Sequence, residues 1–366
     1  MMNYCDKIQY RILSVECAGF EEMVDTLLSG LPADEKILRL VFIGMPQSNE
    51  IYDLRRKIIC EKVKAYFGEH CPSLSYVAQP PLRGALLLEI HSYKSDAKDA
   101  VYYRSVDGMP YVIVDNEEGR FLFGGGFQDD FLNKSIEAQS EAVFHQIDRL
   151  LIKEGFPINS IVRQWNYIER ITESKDDYQN YQAFNDARAA FYEKTTWPEG
   201  YPAATGIGAH CGGIVVDLDA VILKNKNCSV LPIDNKLQVA AHAYSERVLA
   251  VSHKQKATPK FERAKLLSIE DKGLIYISGT AAIRGEESLK EVGLSRQLEI
   301  TMENIAELIG NKGIVSMLRV YLKDKSFVQE AEQLMDAYKL SVPVSYMWAD
   351  VCRDELLIEI EGIAKC

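Results

Sequence analysis

The chain has 366 residues, of which 47% are apolar and 26% charged, and carries a formal net charge of −11. That length and balance suit a globular protein with a substantial core, and the acidic excess argues against broad binding to nucleic-acid phosphates. No stretch approaches 18 uninterrupted apolar residues and the N-terminal MMNYCDKIQYR has no apolar signal-type core, so neither a membrane span nor secretion is expected.

In chain order, the first predicted elements are a short helix, GFEEMVDTLLSGL (19–31), an apolar strand, LRLVFIG (38–44), and a longer helix, NEIYDLRRKIICEKVKAYFGE (49–69). They lead into the strand-rich PSLSYVAQPPLRGALLLEIHSY (72–93). The polar run SYKSDAKDA then marks a boundary near 95–107. Beyond it come a Gly-punctuated strand, RFLFGGGF (120–127), and a helix with Val143, Ile147 and Leu150 on one face. The strand RQWNYIERI (163–171), a helical stretch at 176–194 and the strands of PAATGIGAHCGGIVVDLDAV (202–221) follow. A second polar run, KNKNCSVLPIDNK, marks a boundary near 224–236. The last third repeats the order: LIYISGTA (274–281), a helix with Leu298, Met302, Ile305 and Leu308 on one face, LRVYLKD (318–324), SFVQEAEQLMDAYKL (326–340) and PVSYMWADVCRDELLIEIEGIA (343–364).

The chain therefore says much the same thing three times. Aligning 72–93 with 343–364, with one single-residue slip, brings Arg83 onto Arg353 and Glu89 onto Glu359, and Asp217 falls in the same column. A repeat of about 130 residues has the size of a small domain, not of a solenoid unit. Three α+β modules are expected, at 1–105, 106–230 and 231–366, each with helices on one face of a mixed sheet. Any site is expected between modules.

Several motifs carry no chemistry. GGGF at 124–127 lacks the GK[ST] of a phosphate loop and is expected to be a strand-end turn. The six histidines are scattered, and the adjacent His210 and Cys211 would point to opposite faces of a strand, so no metal site is expected. Eight cysteines without CxxC spacing point to reduced thiols in a cytoplasm. What remains is LLIEIEGIA (356–364), where alternation puts Ile358 and Ile360 on one face and Glu359 and Glu361 on the other. Two readings stay open. The glutamates are solvated on a half-exposed strand, or, with Glu89 and Asp217 on the same face of the other copies, they line a cleft where a desolvated carboxyl works as a general acid.

The stretches RQWNYIERI, YQAFNDARAAF (181–191), YPAATGIG (201–208), NKLQVAAHAY (235–244), TPKFERA (258–264), ISGTAAIRG (277–285) and DVCRDELLIEIEG (350–362) resemble those of chorismatases. These form a branch of the RidA/YjgF (endoribonuclease L-PSP) superfamily in which modules of chorismate mutase-like fold are fused. The resemblance runs from about residue 160 to the C-terminus and is weak over 1–105. It implies a pseudo-trimeric arrangement within one chain, hence a monomer, and a small anionic substrate, without cofactor, metal, nucleic acid or membrane. The implied reaction cleaves the enolpyruvyl ether of chorismate to pyruvate plus a dihydroxycyclohexadiene carboxylate or a hydroxybenzoate, with Glu359 as the proton donor. The resemblance also implies substrate contacts for Cys352, Gly279, Thr280, Ala281, Arg163, Tyr167, Tyr244 and Arg263, and a cysteine at 352 resembles the hydroxybenzoate-forming branch. The chain departs from the family pattern at Val239–Ser245, at Arg284–Ser288 and at Lys323. The alternatives are an enamine/imine deaminase of RidA type, disfavoured by Ser345 where that chemistry has an arginine, and a non-catalytic metabolite-binding member.

Overall fold

The computed structural model describes residues 2–175, 178–245, 250–251, 254–255, 258–311 and 313–366, and in it the sequence repeat is a repeat of sheet topology. The first sheet runs, edge to edge, Ile8–Val15, Leu86–Tyr93, Lys36–Gly44, Ser73–Val77. The same four positions are filled in the second sheet by Gly119–Phe127, Ile214–Leu223, Ile161–Glu169 and Ala203–Ala209. In the third they are Lys272–Ala281, Ile358–Lys365, Ile314–Leu322 and Val344–Trp348. Each time the first three strands are antiparallel neighbours and the fourth is parallel to the third. A parallel pair needs a crossover, and the helices Asn49–Phe67, Asn180–Tyr192 and Val328–Asp336 supply it. The predicted helix 176–194 is thus shorter, and residues 176 and 177 lie outside those described.

The second and third sheets extend at one edge by the hairpins Ala100–Val106/Met109–Asp115 and Cys228–Ile233/Ala264–Ile269. Both arms of a hairpin must join one sheet, so these begin ahead of the module limits at 106 and 231. The helices pack on the outer faces as their periodicity predicts. Ser135 caps Ile136–Glu154 by accepting from the Ala138 N–H, Gly155 ends it at φ +70°, and Val143, Ile147 and Leu150 are buried. Leu298, Met302, Ile305 and Leu308 pack with Ile358 and Ile360 against the third sheet. One expectation fails. GGGF is not a strand-end turn but a bulge inside Gly119–Phe127, where Gly125 and Gly126 together oppose Asp217. The bulge, with φ +68° at Gly126, lets the Gly126 N–H donate to Asp217 Oδ1 at 2.8 Å.

The inner faces of the three sheets meet. Leu38, Val162 and Met317 share one apolar cluster, and Val41, Trp165 and Tyr321 another. Within this core lies a ring of charge. Arg39, Arg163 and Arg319 hold one register position in their sheets, opposite His91, Asp219 and Glu361. Each reaches a carboxylate of the next sheet: Arg39 to Asp219 at 2.8 Å, Arg163 to Glu361, and Arg319 to Glu89 at 2.6 Å. The first sheet has His91 where the others have an acid, so Glu89, two residues back, takes that role, donated to by His91 at 2.6 Å. All of these groups are buried, and a buried charge is tolerable only when paired in this way.

Candidate active site

A cavity of about 520 Å³ opens between the second and third sheets. From the second sheet, the helix Asn180–Tyr192 turns Tyr181, Asn185 and Arg188 into it, one face at i, i+4, i+7, and the adjoining strand adds Ala204 and Gly206. The third sheet supplies Glu359 and Gly279. The segments flanking its strands supply Tyr244, Arg263, Cys352 and Arg353.

Glu359 is 5% exposed, and among the described residues its carboxyl makes no hydrogen bond. Burial, reinforced by the neighbouring Glu361, pushes its pKa from 4.5 up to about 8, against the pull of Arg163, Arg263 and Arg353. It therefore holds a proton at neutral pH and presents it to the cavity. Gly279 makes room for it. The strand bulges at Ser278 and Gly279, the Gly279 N–H donates to Thr205 Oγ1 at 3.0 Å, and a Cβ at 279 would overlap Glu359 Oε1. The Cys352 thiol is pushed up to about 12 by burial and by Glu359, so it is a neutral wall and not a nucleophile.

Three guanidinium groups face this acid without a carboxylate partner among the described residues. Arg188 is 1% exposed, donates to Asn185 Oδ1 at 2.6 Å and leaves its Nε unpaired. Arg263 is steadied by the Val239 carbonyl at 2.9 Å and by the Tyr244 hydroxyl. Arg353 donates to Ser288 Oγ at 2.9 Å and to the Glu286 carbonyl at 3.2 Å. Such a wall is built to receive anionic groups.

Of the residues singled out in the sequence, Glu359, Cys352, Gly279, Ala281, Tyr244 and Arg263 line the cavity together. Arg163, Tyr167 and Thr280 do not. The Arg163 guanidinium is committed to Glu361, the Tyr167 hydroxyl accepts from Arg319 at 2.5 Å, and the Thr280 hydroxyl donates to the Ser278 carbonyl at 2.8 Å. Lys323 pairs with Asp354 instead of facing the substrate space. Sequence reasoning missed Arg188, Tyr181 and Asn185, although their helical spacing within YQAFNDARAAF was the available signal. Arg353 had its mark in the repeat, whose counterpart Arg83 instead pairs with Glu332 at the surface.

A buried carboxyl facing guanidinium groups that have no carboxylate partner among the described residues, in a cleft between fused α+β modules, marks an enzyme that acts on a small molecule. A family model described as "Chorismatase FkbO/Hyg5-like, N-terminal" matches residues 104–220. A chorismatase of Streptomyces rapamycinicus is 31% identical over 245 residues, 62% of this chain and 70% of that protein. A 3-hydroxybenzoate synthase of Streptomyces hygroscopicus is 30% identical over 277 residues, 70% of this chain and 76% of that protein. A chorismatase crystal structure superposes with a TM-score of 0.70 at 21% identity, covering 97% of this chain and 98% of that one, which shows the common fold. The chain belongs to the chorismatase family.

Proposed function

We propose that the cavity binds chorismate and cleaves its enolpyruvyl ether, releasing pyruvate, with Glu359 as the acid. The observation that carries the reading is the unpartnered, protonated Glu359 carboxyl facing Arg188, Arg263 and Arg353. Chorismate brings two carboxylates and an electron-rich enol ether. The guanidinium groups anchor the carboxylates and so set the ether against the acid. Glu359 protonates the terminal methylene carbon, and its own carboxylate then faces the resulting oxocarbenium ion. In the hydrolytic route water adds to that ion, Glu359 takes back the proton this water releases, and the hemiketal collapses to pyruvate and a dihydroxycyclohexadiene carboxylate. In the other route a ring hydroxyl attacks the ring carbon that carries the ether, and the bond from that carbon to the oxygen of the protonated enolpyruvyl group breaks to release pyruvate. Glu359 takes the hydroxyl proton, and the resulting epoxide opens with loss of a ring proton to give a hydroxybenzoate. The cysteine at 352, which resembles the hydroxybenzoate-forming branch and is neutral in the cavity wall, supports the second.

Arg263, Tyr244, Gly279, Ala281 and Cys352 are the substrate-contact residues of this proposal, together with Arg188, Arg353 and Tyr181. The division into modules at 1–105, 106–230 and 231–366 is retained in outline, each hairpin going with the sheet it joins. A monomer is supported by the charge ring, which closes within one chain. Eight free thiols fit a reducing, cytoplasmic setting. Purified protein mixed with chorismate is expected to release pyruvate, read by coupling to lactate dehydrogenase, and Glu359→Gln to lower that rate by about 10²–10⁴-fold. Absence of pyruvate from the unaltered protein would overturn the proposal, and ammonia from an imine substrate would replace it with a deaminase.

A further inference from the structure

Glu359 and Glu361 stand two residues apart on one face of Ile358–Lys365, yet their surroundings are opposite. Glu361 receives hydrogen bonds from Tyr321 Oη at 2.5 Å and Arg319 Nη1 at 3.1 Å, and also from Arg163 and Thr205. Four donors, two of them cations, make it the ionised member of the pair. Glu359 has no such donors. Two neighbouring buried carboxyls do not both ionise cheaply, and unequal surroundings decide which one keeps the proton.

We infer that Glu361 is a positioning residue: anchored as an anion by Arg163, Thr205, Arg319 and Tyr321, it keeps the transferable proton on Glu359. The inference rests on the reading of Glu359 as the acid. Burial comes first in raising Glu359 and Glu361 adds to it; the tyrosines, thiol and guanidinium groups that face Glu359 do not favour its neutral form. Tyr321, its register partner, turns its hydroxyl to Glu361; Tyr181 and Cys352 are neutral; and the guanidinium groups of Arg263 and Arg353 favour ionisation. Glu286, Glu287 and Glu355 also line the cavity, but Glu361 is the acid next to Glu359 on the same strand face, and it also pairs with Arg163. Because Arg163 and Thr205 come from the second sheet, the acid is set by the docking of two modules. After proton transfer the two carboxylates repel, which favours recapture of a proton by Glu359 for the next turnover.

The test is an infrared titration of the unliganded protein, in which the protonated-carboxyl band lost in Glu359→Gln is followed against pH. In Glu361→Gln that band is expected to disappear at a pH lower by about one unit or more, and the alkaline limb of kcat for pyruvate release to move by the same amount. A folded Glu361→Gln whose Glu359 band titrates where it does in the unaltered protein would overturn the inference. If Glu361→Gln does not fold, Tyr321→Phe decides. It removes one anchor of Glu361 at nearly constant volume and leaves Glu359 itself untouched, so the pH at which the Glu359 band disappears is expected to move; a band that titrates as in the unaltered protein would overturn the inference. The infrared readout needs no turnover, so a protein that released no pyruvate would defeat the proposed function and leave this question to its own answer.

Discussion

Replacing the proposed acid has a consequence for stability that is independent of any assay of turnover. In the folded chain Glu359 titrates near 8, against an ordinary 4.5. Between those values the folded state carries a proton that the unfolded state lacks. The sign follows: the stability belonging to the neutral carboxyl is fully present below pH 4.5 and is lost as pH rises through 8. At pH 7 the gap is about 2.5 pH units, which at about 1.36 kcal/mol each is about 3 kcal/mol against folding; above pH 8 it levels off near about 5 kcal/mol. The side chain is 5% exposed, so solvent screening takes little from this. Glutamine is neutral throughout and nearly isosteric. Glu359→Gln is therefore expected to be as stable as the unaltered protein near pH 4.5 and increasingly more stable toward pH 9, while losing activity. Scanning calorimetry of both proteins across that range gives the difference in Tm directly. Parallel Tm profiles, or a variant less stable at every pH, would refute the burial argument for this carboxyl.

Arg188→Met removes a guanidinium that has no carboxylate partner among the described residues, so it is expected to raise KM for chorismate by about 10–100-fold with little change in Tm; steady-state pyruvate release and calorimetry report the two together. Arg39→Met, remote from the cavity, leaves Asp219 buried without its cation. A loss of about 3–5 kcal/mol in urea denaturation is expected, and a midpoint equal to that of the unaltered protein would show that the ring does not lock the sheets.

Much of this was legible in the residues. The periodic faces of Ile136–Glu154 and Leu294–Ile309 and the alternation of Glu359 and Glu361 with Ile358 and Ile360 come from the 3.6- and 2-residue repeats, which burial respects. The column that joins Glu89, Asp217 and Glu359 is a true register position: they pair across their sheets with Val41, Trp165 and Tyr321. What could not be read was partnership across sheets. Arg163 and Tyr167 do alternate onto one face with Trp165, as expected, but the carboxylate that Arg163 meets is Glu361 and the group that meets Tyr167 is Arg319, each brought from another module. The GGGF bulge escaped for a similar reason, since its glycines answer to Asp217 and to the Ser73 and Ser75 hydroxyls of the first sheet.

The same register explains why the cleft between the second and third sheets has room beside Tyr181. Ala204 and Gly206 sit opposite Gln164 and Asn166; the equivalent positions hold Leu74 and Tyr76 in the first sheet and Tyr346 and Trp348 in the third. Small residues at that edge leave the space that Tyr181 borders, whereas a Cβ on Gly206 would already press on the Tyr181 ring at 2.8 Å. Between the first and second sheets, Tyr76 stacks on Tyr52 at 5.0 Å beside a space of about 30 Å³. The acids follow the space. Asp217 is held by Ser75 at 2.5 Å and by the Gly126 N–H. Burial would raise Glu89, but Arg319 and His91 outweigh it and hold that carboxyl well below the usual range. Each of these two is held by hydrogen bonds in a packed wall. Among the described residues Glu359 has no donor, and the edge strand beside it carries the small Ala204 and Gly206, so the third copy of a structural carboxylate is the one free to exchange a proton with a ligand.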